Sequence, residues 1–334
     1  MDLVTHSLLG ATVAVALAEP RYCRRAALAG ALIALVPDVD IFMGDASDPL
    51  QLLEWHRHFT HSLLLAPVVA ALAALISYWL RWSLTPVRVF SIVLAVYASA
   101  CLLDWCTSYG THLLWPLIKE PLALSIIAVV DPLFTLVLAT GLIIALRKAA
   151  ISPARMTLCI AVAYLLLGGV QHLRAMQQAN QLALERYLSL TAVEVKPTMG
   201  NLLLWRSIMV DQHQNIYADA IRLGFSARIY SGEQKTLLDE TQLRQQLQNQ
   251  NFLNNEAIEM VLRYQKDYAP WLVVHSGDPL MIGDARFAML PDSLEPLWGL
   301  EIHPDSVVFV SRRKQDATMR QHFLTMLAGK PVEQ

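Results

Sequence analysis

Cysteine is rare and unpatterned in this chain. The four residues, Cys23, Cys101, Cys106 and Cys159, include no CxxC pair. That excludes a disulfide scaffold and a zinc knuckle, and leaves them as small apolar side chains. Charge is scarce as well: 16% of the 334 residues are Asp, Glu, Lys or Arg, against roughly 25% in ordinary soluble domains. Neither sign dominates, with a formal net charge of -2, so no basic field marks a nucleic-acid partner. HExxH, GxSxG and P-loop patterns are missing, which removes the sequence basis for zincin, serine-hydrolase and nucleotide-triphosphatase readings. The start, MDLVTHSLLG, has no basic n-region and places Asp2 and His6 where a leader would be apolar; a cleaved secretory leader is not expected.

What the chain does have is apolar surface, unevenly distributed. Hydrophobic residues make up 55% and the mean hydropathy is +0.39. Residues 1–173 hold 20 of the 54 charged side chains and residues 174–334 the other 34. Apolar runs lie at about 7–18, 26–36, 62–80, 89–103, 122–146 and 156–170. Only the third and fifth approach the roughly 20 residues that span a bilayer. The expected architecture is a membrane all-α bundle of about six helical segments, some short, over residues 1–173. A polar, Gln-rich helical linker over 174–190 and a soluble α+β domain over 191–334 follow it. In that last part NLLLWRSIMV, NIYADAIRL, ARIYS, WLVVHS, RFAML and SVVFVSRR have strand character, while TQLRQQLQNQ, NEAIEMVLRYQ and DATMRQHFLTML have helical periodicity.

The connections between the apolar runs alternate in chemistry. Arg21, Arg24, Arg25, Arg81, Arg88, Arg147, Lys148 and Arg155 fall in one set, and nine of the ten acidic residues of this half fall in the other. Basic loops stay cytoplasmic, so the acidic end is expected outside, with the C-terminal domain beside it after six crossings of an inner membrane.

Every polar motif of the apolar half maps to that acidic end. His6 opens the first run; Asp38 and Asp40 follow Pro37 in VPDVD; His56 and His61 lie in EWHRHFTHSLLL, with Thr60 a candidate N-cap. Asp104 ends the fourth run in LLDWCTSYGTHLLWP, and Asp131 precedes Pro132 in VVDPLFTL. Imidazole nitrogen with carboxylate oxygen suits a divalent metal, zinc first and manganese second. Crowded carboxylates near a low-dielectric layer also call for cations. His56 and His61, five apart, converge only if the chain turns before Thr60, and Asp38 and Asp40 need a loop for the same reason. Each residue also has a structural reading: Asp131 as a helix cap, Asp45 and Asp48 as solvated loop charge, and Trp55, Trp79, Trp82, Tyr109 and Trp115 as an interfacial belt.

The blocks MDLVTHSLLG, PDVD, HRHFTHS, DWCTSYGTHLLWP and DP together resemble the YdjM-like family of inner-membrane proteins classed as metal-dependent hydrolases, some of them LexA-regulated; the resemblance covers roughly residues 1–146. It implies a multi-helix inner-membrane protein with His6, Asp38, Asp40, His56, His61, Asp104 and Asp131 as metal or catalytic residues. Asp38, Asp40 and Asp104 are its candidates for handling the attacking water. Arg57, His58 and His112 stand behind these, the two histidines at positions where such motifs more commonly carry a small and another polar residue. The order of His and Asp is also distantly similar to zinc-dependent phospholipase C and P1-type nucleases. The reading that follows is hydrolysis of a lipid or envelope phosphoester at the bilayer. An ion-binding transporter or a non-catalytic membrane scaffold is the alternative, since intramembrane carboxylates also mark ion pathways.

Overall fold

The computed structural model describes residues 1–43, 48, 50–82, 84–249, 255–275, 279–303, 306–312 and 316–332. The chain divides into two compact units, the first of residues 1–45, 54–170 and 199–201, the second of 46–53, 171–198 and 202–334.

The helices of the first unit are α1 (Leu3–Leu17), α2 (Cys23–Ala34), α3 (Gln51–Trp55, at the edge of the second unit), α4 (Ala66–Trp79), α5 (Pro86–Cys106), α6 (Pro132–Lys148) and α7 (Ser152–Glu185, continuing into the second unit). Their ends follow sequence chemistry. α6 starts at Asp131, whose side chain accepts from Phe134 N, with Pro132 in the first turn and Arg147 and Lys148 in the last. Of these helices α5 and α7 are long and apolar enough to cross a membrane; α1 and α4 are apolar but shorter. The fifth apolar run is not one helix. Residues 122–131 lack helical structure, Thr111 bridges Leu122, and Leu124 and Ile126 donate backbone hydrogen bonds to Trp105 O and Cys106 O. Pro121 and Pro132 bracket this stretch, and an apolar run alone does not distinguish helix from extended chain.

Leu9, Val13, Ala14, Ala34, Val96, Leu103, Phe134 and Leu138 form the main core of the unit. Outside it, α4 and α7 present Leu72, Ile76, Trp79, Ile160, Leu166 and Leu173 as exposed apolar side chains. At one end the arginines gather. Glu19 pairs with Arg21 and Arg88, and Arg155 Nε donates to Ala16 O at 3.1 Å.

In the second unit β1 (Leu190–Pro197), β2 (Leu204–Asp211), β3 (Asn215–Leu223) and β4 (Ala227–Thr236) form an antiparallel sheet in that order. β5 (Leu272–His275), β6 (Leu280–Asp284), β7 (Trp298–His303) and β8 (Ser306–Ser311) form a second. α8 (Glu240–Asn249) and α9 (Asn255–Asp267) supply Leu243, Leu247, Val261 and Tyr264 to a core shared with Leu272, Ile282 and Leu300, and α10 (Ala317–Leu327) places Met326 against Leu204 and Ala220. The helix expected over 174–190 is the last part of α7 as far as Glu185, and β1 then starts at Leu190 and pairs with β2. RFAML is no strand: Ala288 makes one isolated bridge to Pro296, because the Asp284 carboxylate accepts from Arg286 N and turns the chain. Buried Arg206 fixes the loop beyond by donating to the carbonyls of Ala285, Leu290 and Pro291 at 2.7, 2.9 and 2.9 Å.

Candidate metal centre

Two glycines bring the first pair of candidates together. A Cβ on Gly30 would lie 2.3 Å from Gly10 O, and one on Gly10 would lie 2.4 Å from Gly30 O. Only hydrogen at both positions lets α1 and α2 touch backbone to backbone. His6 sits one turn before Gly10, and a 3-10 turn, Pro37–Phe42, follows α2 and carries Asp38. His6 Nδ1 therefore lies 3.2 Å from Asp38 Oδ2.

Asp104, in the last turn of α5, and His61, in the 3-10 turn Phe59–His61, close the cluster. His6 Nε2 is 3.4 Å from Asp104 Oδ1, and His61 Nε2 is 3.1 Å from Asp104 Oδ2 and 3.4 Å from Asp38 Oδ1. Asp104, His6 and His61 are fully buried and Asp38 nearly so. His6 Nε2, His61 Nε2 and Asp104 Oδ2 are each buried, with these ion-pair approaches in place of a well-aligned hydrogen bond. One ligand atom from each of His6, Asp38 and Asp104 lies within 4.8 Å of the others, a grouping that could hold a metal ion. Arg57 and the amino group of Met1 pair with Asp104 Oδ1 from the other side.

Asp40 serves a different purpose. Its carboxylate accepts from Arg57 N and Thr60 Oγ1, both at 2.8 Å, and lies 3.2 Å from the Nδ1 atoms of His56 and of His61. His61 therefore presents Nδ1–H to Asp40 and Nε2 to Asp38 and Asp104. An outer carboxylate fixes a metal-binding imidazole in the same way. Burial opposes ionisation of Asp38 and Asp40, yet the histidine hydrogen bonds outweigh it and hold both well below the usual carboxylate range. Burial likewise works against a charged His61, but its bonds to Asp104, Asp38 and Asp40 raise it to about 10. The nest thus carries an excess of negative field that a proton answers at His61.

The YdjM inner membrane protein family matches residues 1–175, more than half of the chain and all of the residues just described. The chain belongs to that family. No curated protein and no solved structure matches it, so the distant similarity to phospholipase C and P1 nucleases gains no support from these comparisons. The sheets of the second unit lie beyond the YdjM match.

Among the other candidates of this YdjM protein, Asp131 has no contact with the centre among the described residues. It caps α6, and its Oδ2 accepts from the Tyr164 hydroxyl at 2.9 Å. His56 is part-exposed, with Nδ1 3.2 Å from Asp40 Oδ1 and its ring edge-on to that of His61 at 6.1 Å. Arg57 adopts φ 63, which throws the chain back between α3 and Thr60 and buries its guanidinium against Asp104, Thr107 and the Tyr109 ring. Thr60 is not an N-cap: it lies inside the 3-10 turn bonded to Asp40, and α4 begins at Ala66. Asp38 and Asp40 are presented by a 3-10 turn instead of a loop and reach opposite nitrogens of His61. Gly110, at φ 90, turns the chain after α5, so that His112 N can donate to Arg57 O at 3.1 Å. Its ring then lies beside His58, and burial lowers both histidines below their ordinary range. Asp48 is bonded to Arg263 at 2.8 Å, and Asp45 lies outside the described residues.

The role given to Asp40 has a direct consequence. Asp40→Asn keeps the shape and an amide oxygen toward Arg57 N, Thr60 Oγ1 and His61 Nδ1, which share Oδ2, but removes the negative charge that supports the His61 imidazole. Metal affinity is expected to fall about 10- to 100-fold with helix content unchanged, measured by metal titration beside circular dichroism.

Proposed function

We propose that this chain is a membrane-bound, metal-dependent hydrolase acting on a phosphoester of a lipid or envelope metabolite. The observation that carries the reading is the convergence of buried ligand atoms, His6 Nε2, His61 Nε2 and Asp104 Oδ2, in a nest that Asp38 completes. Those four residues would hold a divalent ion, zinc first and manganese second. When bound, such an ion lowers the pKa of a water and polarises a phosphoryl oxygen. The chain's own groups supply the rest. Asp38, 7% exposed where Asp40 and Asp104 are sealed, is the ligand that an entering water would meet first and is placed to orient it. Arg57, with Nε unpartnered, is placed to donate to a phosphoryl oxygen, and Asp40 keeps His61 oriented.

The lipid assignment has support beside the ligands. The turn that carries Asp38 and Asp40 also presents Ile41, Phe42 and Met43 to the outside, Phe42 at 81% exposure. The arginine end around Glu19 supports a reading in which that end is cytoplasmic and the centre of a multi-pass protein faces the other side.

The test is hydrolysis by detergent-purified protein of p-nitrophenyl phosphate, bis(p-nitrophenyl) phosphate and a phospholipid panel, with zinc or manganese supplied. Turnover lost in Asp38→Asn and Asp104→Asn is expected; metal-loaded protein inert on every substrate would sink the proposal. Metal uptake should also depend on pH. His61 rises from its ordinary value of about 6.5 to about 10 in the metal-free fold. Its proton therefore stabilises that fold fully below 6.5, and the contribution is lost as pH rises through 10. An ion must displace that proton, so affinity should climb about tenfold per pH unit above neutrality. One proton per ion is expected at pH 7, read from calorimetry in buffers of different ionisation enthalpy.

A further inference from the structure

We propose that His58 and His112 form a second transition-metal site, separate from the His6–Asp38–Asp104 centre, that takes one late divalent ion such as zinc or copper. Neither residue belongs to the ligand set implied by the family resemblance, and 54 positions separate them in sequence. The fold nevertheless sets the rings side by side, with centroids 4.5 Å apart and planes tilted by 51°. The two loops are tied by the bond from His112 N to Arg57 O, one residue before His58.

The ring nitrogens point to a ligand. Nδ1 of His58 and Nδ1 of His112 are both buried, and neither has a hydrogen-bond partner. The His112 ring does bond the Lys119 carbonyl. With Nδ1 unpartnered, that bond falls to Nε2–H, which fixes the tautomer and leaves Nδ1 as a bare lone pair. A backbone carbonyl behind an imidazole is a usual outer support for a metal ligand. The two tilted rings offer each other no complementary donor and acceptor, whereas one cation coordinated by both nitrogens, at the usual ~2.0–2.1 Å, would satisfy both. Soft and borderline ions of the zinc and copper type prefer imidazole; magnesium and calcium prefer oxygen. Glu54 adds negative charge near His58. Trp55, Phe59 and Trp115 pack on the His58 ring at 5.9, 6.2 and 5.8 Å and wall the pair.

Equilibrium dialysis of the full-length, detergent-purified protein against zinc chloride tests this. Wild type is expected to bind two ions per chain. His58→Gln and His112→Gln should each bind one, and Asp104→Asn should keep the ion of the histidine pair. Copper(II) supplies a second readout, since an ion touching His58 sits against Trp55 and Trp115. Tryptophan emission should be quenched in wild type and Asp104→Asn, and the quench should be lost in both histidine variants. A histidine variant that keeps the ion of the main centre is thereby shown to be folded; if one variant loses both ions, the other decides. Zinc stoichiometry and copper quench unchanged in His58→Gln and His112→Gln would overturn the proposal. That outcome differs from failure of the main centre, in which Asp104→Asn alone would cost no ion.

Discussion

Asp104→Asn should empty the main centre and weaken the first unit at the same time. The carboxylate is wholly buried and is met by Arg57 at 3.0 Å, His61 at 3.1 Å and His6 at 3.4 Å. Neutralising it removes a ligand and leaves a 4% exposed guanidinium without its charge partner. Breaking one side of a buried ion pair costs about 3–5 kcal/mol, so a clear drop in melting temperature in detergent is expected alongside loss of bound metal. Arg57→Gln in the Asp104→Asn background should recover part of the stability and none of the metal, because it removes the stranded charge without restoring the ligand. A single variant that melts like wild type would show that Asp104 is neither needed nor strained by its partners.

Gly30→Leu should have a comparable effect from outside the centre. The new side chain would start 2.3 Å from Gly10 O and 2.5 Å from Ala14 Cβ, and a backbone atom cannot yield as a side-chain tip can. α1 and α2 must separate, which by overpacking alone costs about 1–3 kcal/mol. The separation also pulls His6 away from Asp38, now 3.2 Å apart, and metal content should fall with stability. Gly169→Ala is the matching control, since a Cβ there meets nothing within 4 Å and the helix should be stabilised by roughly 0.5–1 kcal/mol. Retention of full metal by Gly30→Leu would show that the helix contact does not set the position of His6.

The sequence was most legible where chemistry is crowded. His6, Asp38, His61 and Asp104 stand in four segments, and one acidic end was enough to group them before any distances were known. It could not rank them by layer. Asp40 differs from Asp38 by two positions and no chemistry, and only the bonds from Arg57 N and Thr60 Oγ1 mark it as the residue that orients His61. Asp131 shared every outward sign of a ligand, but Asp-Pro also starts helices, and in the fold the carboxylate caps α6. Thr60 was visible only as a hydroxyl near a helix start; its use depends on Arg57 at φ 63, a conformation that no pattern of residue types announces. In the second unit β2, β3, β4, β5 and β8 were readable from their β-branched and aromatic content, whereas β6, LMIGD, is short and ends in Gly283 and Asp284, residues that read as a turn.

The turn Pro37–Phe42 ends α2 with two carboxylates facing inward and Phe42 facing out. For a hydrolase built this way the substrate is a component of a two-dimensional solution. Turnover should then follow the mole fraction of substrate in the bilayer or mixed micelle and remain flat when substrate and carrier lipid are diluted together. Added inert lipid or detergent at constant total substrate would slow the reaction without binding the centre at all. Surface dilution, more than inhibition, would be the natural way for a membrane to regulate it.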